Sequence, residues 1–466
     1  MVSSHPAAPS SARNWGDVVL GVQSDPAGAP PQRGGIDPKH AWHLKAVLQV
    51  AETLGTKVLK IDQPLEANVE RTAEREQRVV STLQAMAKGS QLQLGELTPT
   101  QFTELVMSEL FGFGPLDRFL SRSDISEVMV NGPYVIFVER SGKLMETGHK
   151  FLDDAHVERI IRRIVRPLGR EVGPNNPLVD ARLPDGSRVN AAVSPCTLDG
   201  PSLTIRKFSA SKMGLQDLVD KRSLSAEMSK FLGAIVSARQ NIVVSGGTGS
   251  GKTTLVNALS QFIPDGERVV TIEDAAELRL QQRNVVRMES KKPSLDNPTA
   301  VTIRDCLVNA LRMRPERILI GECRSAEALD MLQAMNTGHD GSMTTVHANN
   351  PREAISRLET LALMGGLDLP LLVLRKQIAS AIQFIVQASR LRDGSRRVTH
   401  ITEIQRMEGD VVVLSDIFEF RETGTHPNGD VIGAHRATGN RPRCLETLTR
   451  HGIKFPPNFF FAPPER

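Results

Sequence analysis

Residues 246–253 read GGTGSGKT, a glycine-rich run that satisfies G-x-x-x-x-G-K-[ST] and ends in Lys252 and Thr253. Phosphate carries concentrated negative charge, so its cradle needs successive backbone N–H groups at close approach. Side chains at Gly246, Gly247, Gly249 and Gly251 would obstruct that approach. A helix opening at the end of the run would point the positive end of its dipole at the same oxygens. Lys252 adds a full positive charge for β and γ oxygens, and the Thr253 hydroxyl is the expected Mg2+ ligand. The nucleotide-binding set is Gly246, Gly247, Thr248, Gly249, Ser250, Gly251, Lys252, Thr253 and Thr254.

Phosphoryl transfer to water also needs a carboxylate to hold metal or position the water, and cations for developing negative charge. Glu273 and Asp274 follow the apolar run VVTI, with Glu277 one turn on, and Glu322 follows ILIG. Either group alone reads as a solvated acidic turn; two in this order after a phosphate loop point to catalysis, with Glu322 also a metal ligand. His347 ends the strand-like run GSMTTVH. A lone histidine is more often structural than catalytic, but a strand end leaves this one free to sense a γ-phosphate or contact a neighbouring subunit by hydrogen bonding. His339 is a weaker candidate of the same kind. Arg182, Arg188 and Arg206 precede the phosphate loop, in DARLPDGSRVN and LTIRKF. Guanidinium groups fork onto phosphate oxygens, so these three could be delivered across a domain or subunit boundary, against a plain surface-charge reading. Arg159, Arg162, Arg163 and Arg166 read as a solvated or docking face of a basic amphipathic helix.

The elements that must position these residues follow from periodicity. An apolar strand at 241–245 enters the phosphate loop and a helix at 254–263 leaves it. Strand-like runs at 269–272, 318–320, 343–347 and 384–386 then alternate with helical ones at 302–313 and 326–335, the pattern of a largely parallel, doubly wound sheet with ligands at its carboxyl ends. Upstream, alternating runs at 127–130, 135–139 and 143–147, a helix at 157–168, and strands at 187–194 and 202–207 make a separate α/β domain. Helical periodicity at 42–54, 65–86 and 100–110, with Thr98-Pro99 as a helix start, makes a small helical region. The expected organisation is a flexible tail at 1–40, a helical region at 41–112, an α/β domain at 113–210, a linker at 211–225, a motor domain at 226–455 and a tail at 456–466.

At 466 residues the chain exceeds the ~250–300 at which single cores stop growing. Its 57 basic and 53 acidic residues leave a formal charge of +4, too mild to mark a dedicated nucleic-acid binder. With one Tyr and two Trp among few aromatics, a base-stacking platform is poorly supplied. Cys196, Cys306, Cys323 and Cys444 lie far apart, without zinc spacing, and read as reduced thiols. With no long apolar run and no secretory start, the expected location is cytoplasmic, touching a membrane only through partners.

Between about 105 and 455 the chain resembles the type II/IV secretion ATPase superfamily, and within it the motor ATPases of Tad/Flp pilus assembly. The resemblance rests on FGFGPLD (111–117), EVMVNGP (127–133), the P-loop, the Asp box TIEDAAEL (271–278), RILIGECR (317–324) as the Walker B region, the His-box region LQAMNTGHDGSMTTVHANNPREAISRLE (332–359) and RRVTHITEI (396–404). It implies a homo-hexameric ring of two-domain subunits that hydrolyses ATP with Mg2+ between the preceding domain and a RecA-like motor. Such a ring lies at the inner face of the cytoplasmic membrane. It drives inner-membrane platform proteins that add or remove pilin subunits, and it engages no nucleic acid. By motif, Lys252 and Thr253 resemble the nucleotide and Mg2+ ligands, Glu273 the general base, Glu322 the Walker B carboxylate and His347 the His-box residue, with arginines of the preceding domain contacting phosphate. Ser325-Ala326 stands where relatives commonly carry Gly-Gly, and the tetracysteine zinc motif of some relatives is absent. The competing readings are a nucleic-acid translocase on the same RecA-like core and an inactive scaffold ring. The composition argues against the first, and Lys252, Glu273 and Glu322 argue against the second. A transporter cassette is disfavoured because no LSGGQ-like signature separates Lys252 from Glu322.

Overall fold

The computed structural model describes residues 35–89, 94, 96–140, 142–208, 213–291, 299–366 and 369–461. Two compact units divide the chain, Met1–Ser209 and Ala210–Arg466. Residues 1–34 of the expected tail lie outside the described residues. Its last residues enter α1 (Pro38–Lys57), where the Asp37 carboxylate caps the Lys39 amide.

In the first unit α1 is followed by α2 (Ala73–Lys88) and α3 (Pro99–Phe111). Thr98 and Gln101 form a capping box at the start of α3, with Pro99 at its first position, where a missing N–H costs nothing. α2 begins later than the sequence periodicity suggests, because Thr72 caps the Arg75 amide. Leu65 and Val69 are nevertheless buried without being helical. These helices share one apolar cluster that includes Val47, Leu54, Val79, Leu83, Phe102 and Leu110.

A six-stranded antiparallel sheet completes the unit, in the order β3-β2-β1-β6-β5-β4. Its strands are β1 (Ile125–Asn131), β2 (Ile136–Arg140), β3 (Lys143–Glu146), β4 (Leu178–Arg182), β5 (Arg188–Ala192) and β6 (Ser202–Arg206). A single turn, α4 (Asp117–Leu120), precedes it, and α5 (Asp154–Val165) lays Val157, Ile160, Ile161 and Ile164 on its inner face. Of the two readings of the α5 arginines, the solvated one fails at Arg163: it is 2% exposed, and its guanidinium donates to the carbonyls of Glu109 at 2.6 Å and Gly112 at 2.7 Å, and to that of Leu65. The reason is local: the C-terminus of α3 leaves carbonyls without helical partners, and a buried fork of N–H groups satisfies them.

The second unit carries a nine-stranded sheet in the order β15-β14-β13-β12-β7-β11-β10-β8-β9. Helices α6 (Leu215–Asp220) and α7 (Ala226–Ser237) lead into β7 (Ile242–Gly246), followed by α8 (Lys252–Ser260), β8 (Val269–Glu273) and β9 (Val285–Glu289). Then come α9 (Ile303–Ala310), β10 (Arg317–Ile320), α10 (Glu327–Asn336), β11 (Met343–Val346), α11 (Pro351–Leu363), α12 (Leu371–Ala381) and β12 (Phe384–Arg390). The chain closes with β13 (Arg396–Glu408), β14 (Val411–Thr425), β15 (Val431–Ala437) and α13 (Leu445–Arg450). Strands β12, β7, β11, β10, β8 and β9 pair parallel in that order, and β13 to β15 add antiparallel.

Burial on both faces explains the continuous apolar runs. Along β7, Ile242 and Val244 belong to one core and Val243 to the other, so helices cover both sides of a RecA-like sheet. β9 was not anticipated, because VVRME is only half-buried at the sheet edge. The expected C-terminal tail is also corrected as far as it is described. Phe460 is 2% exposed and packs edge-on against Phe231 at 5.5 Å, beside Phe418, Phe455 and Phe459, because aromatic rings this large gain more by burial than the chain loses by ordering. Among the described residues no helix is long and apolar enough to cross a membrane.

Candidate nucleotide site

The phosphate loop is bent by backbone conformations that suit glycine: Gly249 has φ 69° and Gly251 φ 96°. Gly246 is needed for packing, since a Cβ there would lie 2.3 Å from the Ala388 carbonyl oxygen. Gly247 differs from the other three. A Cβ there would meet no protein atom within 4 Å, so nothing in the chain itself demands glycine at that position. Ser250 donates its hydroxyl to the Gly247 carbonyl at 2.9 Å and steadies the bend. α8 starts at Lys252, with its first-turn amides directed into the loop, and Thr253 and Thr254 lie half-buried on that turn. The Lys252 ammonium reaches back to the carbonyls of Gly246 at 2.9 Å and Gly247 at 3.0 Å, which holds its charge at the cradle.

The parallel register carries the acidic groups to the same edge of the sheet. β10 lies two strands from β7 and β8 three strands away, roughly 10 and 14 Å at the usual spacing. Glu273 ends β8 at 3% exposure and accepts from the amides of Glu277 at 2.8 Å and Leu278 at 3.0 Å. Burial pushes its carboxyl up to about 7, and the two amide bonds oppose that rise only in part. Gly321 leaves it room, because a Cβ at that position would sit 2.8 Å from the Glu273 Cγ. Asn257 of α8 accepts from the Arg279 amide at 2.8 Å, tying the loop after Glu273 to the phosphate-loop helix.

Glu322 follows β10 by two residues. Arg324 donates to it from Nε at 2.8 Å and pairs with it through Nη2 at 2.5 Å, while Nη1 reaches Asp274 at 3.4 Å. One guanidinium thus bridges the acidic ends of two strands. The Ser325-Ala326 turn is held by Glu327, whose carboxylate accepts from the amides of Arg324 and Ser325.

His347 is exposed one residue beyond β11, where Val346 pairs with Ser245 of β7, so it sits beside the entrance to the phosphate loop. His339 lies at the other end of β11, its Nδ1 3.2 Å from the Ala334 carbonyl oxygen and its own carbonyl accepting from Ser342 at 2.7 Å. It is brought to a turn and not to the site.

Arg182, Arg188 and Arg206 belong to the first unit, and the register brings them together there. Arg182 pairs with Arg188 across β4 and β5, and Arg188 pairs with Arg206 across β5 and β6, with Glu127 of β1 opposite Arg206. Like charges directly opposite each other destabilise a sheet, and Arg182 and Arg188 each have a partner within the chain.

Two arginines beside the cradle escaped sequence reasoning. Arg390 and Arg396 pair across the β12–β13 hairpin, closed by Asp393-Gly394. Arg396 Nε donates to the Gly249 carbonyl at 2.8 Å, and a Cβ on Gly249 would lie 3.6 Å from Arg390 Nη1. The signal was present in RLRDGSRR, a turn flanked by arginines, but only the pairing of β12 with β7 places that turn at the phosphate loop.

Several known proteins are similar in sequence to this chain. A Mycobacterium tuberculosis protein provisionally named for conjugal transfer is 34% identical over 328 residues, covering 69% of this chain and 93% of its own length. The type IV secretion system protein PtlH of Bordetella pertussis is 38% identical, with 62% of this chain and 92% of its own covered. The crystal structure of the VirB11 ATPase from the Brucella suis type IV secretion system aligns at 30% identity and a TM-score of 0.34, covering 62% of this chain and 91% of that one. Residues 109–424, a span that holds the phosphate loop and both acidic strand ends, match the type II/IV secretion system protein family; the chain belongs to that family, as one of its ATPases.

Proposed function

We propose that the chain is the ATP-hydrolysing motor of a Tad/Flp pilus assembly system, working as a homo-hexamer on inner-membrane platform proteins and through them on pilin. The observation that carries the chemical part is the set of strand ends: the phosphate loop, Glu322, His347 and a Glu273 carboxyl pushed up to about 7 share one edge of a parallel sheet. Lys252 and the α8 amides hold the β- and γ-phosphates. Thr253 and Glu322 are the residues that would hold Mg2+, which neutralises phosphate charge when bound. No cluster of three metal-ligating side chains occurs among the described residues, and that suits an ion held by one or two protein groups plus phosphate oxygens.

In the reaction, a water oxygen forms a bond to the γ-phosphorus as the bond to the bridging oxygen breaks and ADP leaves. Glu273 takes the proton of the attacking water, a role suited to a carboxylate that titrates near operating pH. His347 hydrogen-bonds the γ-phosphate, and Arg182, Arg188 and Arg206 reach the phosphates of a neighbouring subunit, so hydrolysis needs the assembled ring. The motifs at 111–117 and 127–133 support the pilus assignment. The relatives' names favour a second reading, a conjugal or type IV secretion motor on the same chemistry. The protein is expected at the inner face of the cytoplasmic membrane in either case.

The test is ATPase rate against protein concentration, with mass determination in ATP·Mg2+ and with DNA added in a parallel series. Activity rising with hexamer formation and indifferent to DNA supports the motor. Strong DNA stimulation would favour a RecA-like translocase instead. Lys252→Ala is expected to abolish hydrolysis, since charge-assisted phosphate bonds are worth about 1.5–3 kcal/mol each.

A further inference from the structure

A cavity of about 560 Å3, lined by none of the phosphate-loop residues, lies in the second unit between the turn that joins α6 to α7 and the β14–β15 hairpin. That volume is in the range that holds a small organic ligand. Its walls are apolar at Val219, Leu224 and Ile432 and aromatic at Phe420, whose ring packs 5.0 Å from that of His435. Two guanidiniums, those of Arg222 and Arg397, line it as well.

Arg222 is held with φ 57°, a left-handed backbone that favours glycine. The turn is pinned on both sides: the Arg222 amide donates to Val219 at 2.8 Å, and the next carbonyl, that of Ser223, accepts from Val398 at 2.7 Å. Arg239 has the same φ sign, at 58°, at the same position after α7, so both arginines take the left-handed conformation of a helix C-cap. Among the described residues nothing hydrogen-bonds or ion-pairs with the Arg222 guanidinium. Arg222 is exposed, and with no protein partner its guanidinium is available to an anion in the cavity.

The neighbouring charges fit the same reading. Burial, and then Arg222, hold the Arg397 guanidinium below its ordinary value, against the pull of Asp393. Asp393 is already engaged by the amides of Ser395 and Val431, each at 2.8 Å, and Asp430 at the rim by Asn428. Burial and Arg397 push His435 down to about 4, so it faces the cavity uncharged. His426 stands exposed at the mouth. Two facing guanidiniums repel, and a dianion relieves that repulsion better than a single carboxylate.

We propose that this cavity binds a phosphomonoester, its phosphate held by Arg222 and Arg397 and its carrier resting on Phe420 and Ile432. Occupancy would tie the segment entering the motor unit to the hairpin at its far edge, giving the motor a ligand-responsive strap. The site does not depend on what the motor moves.

Isothermal titration calorimetry of the full-length chain would be run with AMP, glucose 6-phosphate, inorganic phosphate and adenosine. Saturable responses to either ester, competed by inorganic phosphate, support the proposal, and the stronger ester identifies the carrier as nucleoside or sugar. Arg222→Gly suits the backbone and removes the charge, and it should weaken the response roughly tenfold or more. Arg397→Lys keeps the charge, loses the fork and should weaken it less. The response should persist in Lys252→Ala, which separates it from the nucleotide site. Silence with both esters, adenosine binding as well as AMP, loss of the response in Lys252→Ala, or unchanged affinity in both arginine variants would overturn it.

Discussion

Glu109 in the first unit and Glu273 in the second are buried alike, each 3% exposed, yet their carboxyls move in opposite directions. For both, burial is the largest influence and pushes upward. At Glu109 it is outweighed by His156, whose Nε2 lies 3.1 Å away, and by Arg159 and Arg163, so the group is held below the ordinary carboxylate value. The His156 Nδ1 accepts from the Leu152 amide at 3.3 Å, which leaves the proton on Nε2 facing the carboxylate. At Glu273 two backbone amides and, more weakly, Arg287 oppose burial without outweighing it, and the carboxyl rises to about 7. Burial alone therefore does not tell a structural acid from a reactive one. The partner does: a buried carboxylate with a histidine in contact and two arginines nearby becomes a joint between α3 and α5, and one whose cation is too weak to offset burial is kept ready to take a proton.

The contrast can be broken most directly at its reactive end. Glu273→Gln should cost about 10²–10⁴ in kcat with ATP binding retained, measured by steady-state turnover and nucleotide titration. Its Tm at pH 8 should not fall, because the substitution removes a charge that burial disfavours. At the structural end, Glu109→Ala should leave His156 without its buried carboxylate partner and cost about 3–5 kcal/mol in denaturant unfolding. A well-folded Glu109→Ala protein would remove the distinction drawn here.

The two acids also predict opposite pH slopes. Glu273, raised from 4.5 to about 7, contributes stability that is full below 4.5 and lost as pH rises through about 7. Glu109, depressed, contributes stability present above the ordinary carboxylate value and lost as pH falls through its lowered one. Thermal melts across pH for wild type, Glu273→Gln and Glu109→Gln separate the two slopes, and kcat of the wild type should rise through pH 7 as Glu273 ionises. The smallest effect is expected at Arg324, which is 58% exposed. Arg324→Ala should change stability by less than about 1 kcal/mol, while shifting the Mg2+ concentration needed for half-maximal turnover by freeing Glu322.

Much of the motor was legible because its chemistry is local. The glycines, Lys252 and Thr253 adjoin one another, and β7, β8, β10 and β11 are apolar runs followed at once by the loop, by acids or by His347. What escaped needed distant chain. Arg163 falls in a basic helix whose charge pattern suggests a wet face, and only the open carbonyls at the end of α3 draw it inside. Phe460 sits in a Pro-rich end that reads as a tail until Phe231 and Phe418 cover it. Arg390 and Arg396 read as closing-strand charges until β12 pairs with β7.

The sequence by itself determined the phosphate loop, the parallel motor sheet and the acids at its strand ends, because backbone conformation, period and motif spacing are properties of neighbours along the chain. Only the tertiary structure decided which charges are paired and which carboxyl is pushed toward neutrality. Those outcomes depend on desolvation and on charges brought near from remote positions, and both are set by packing.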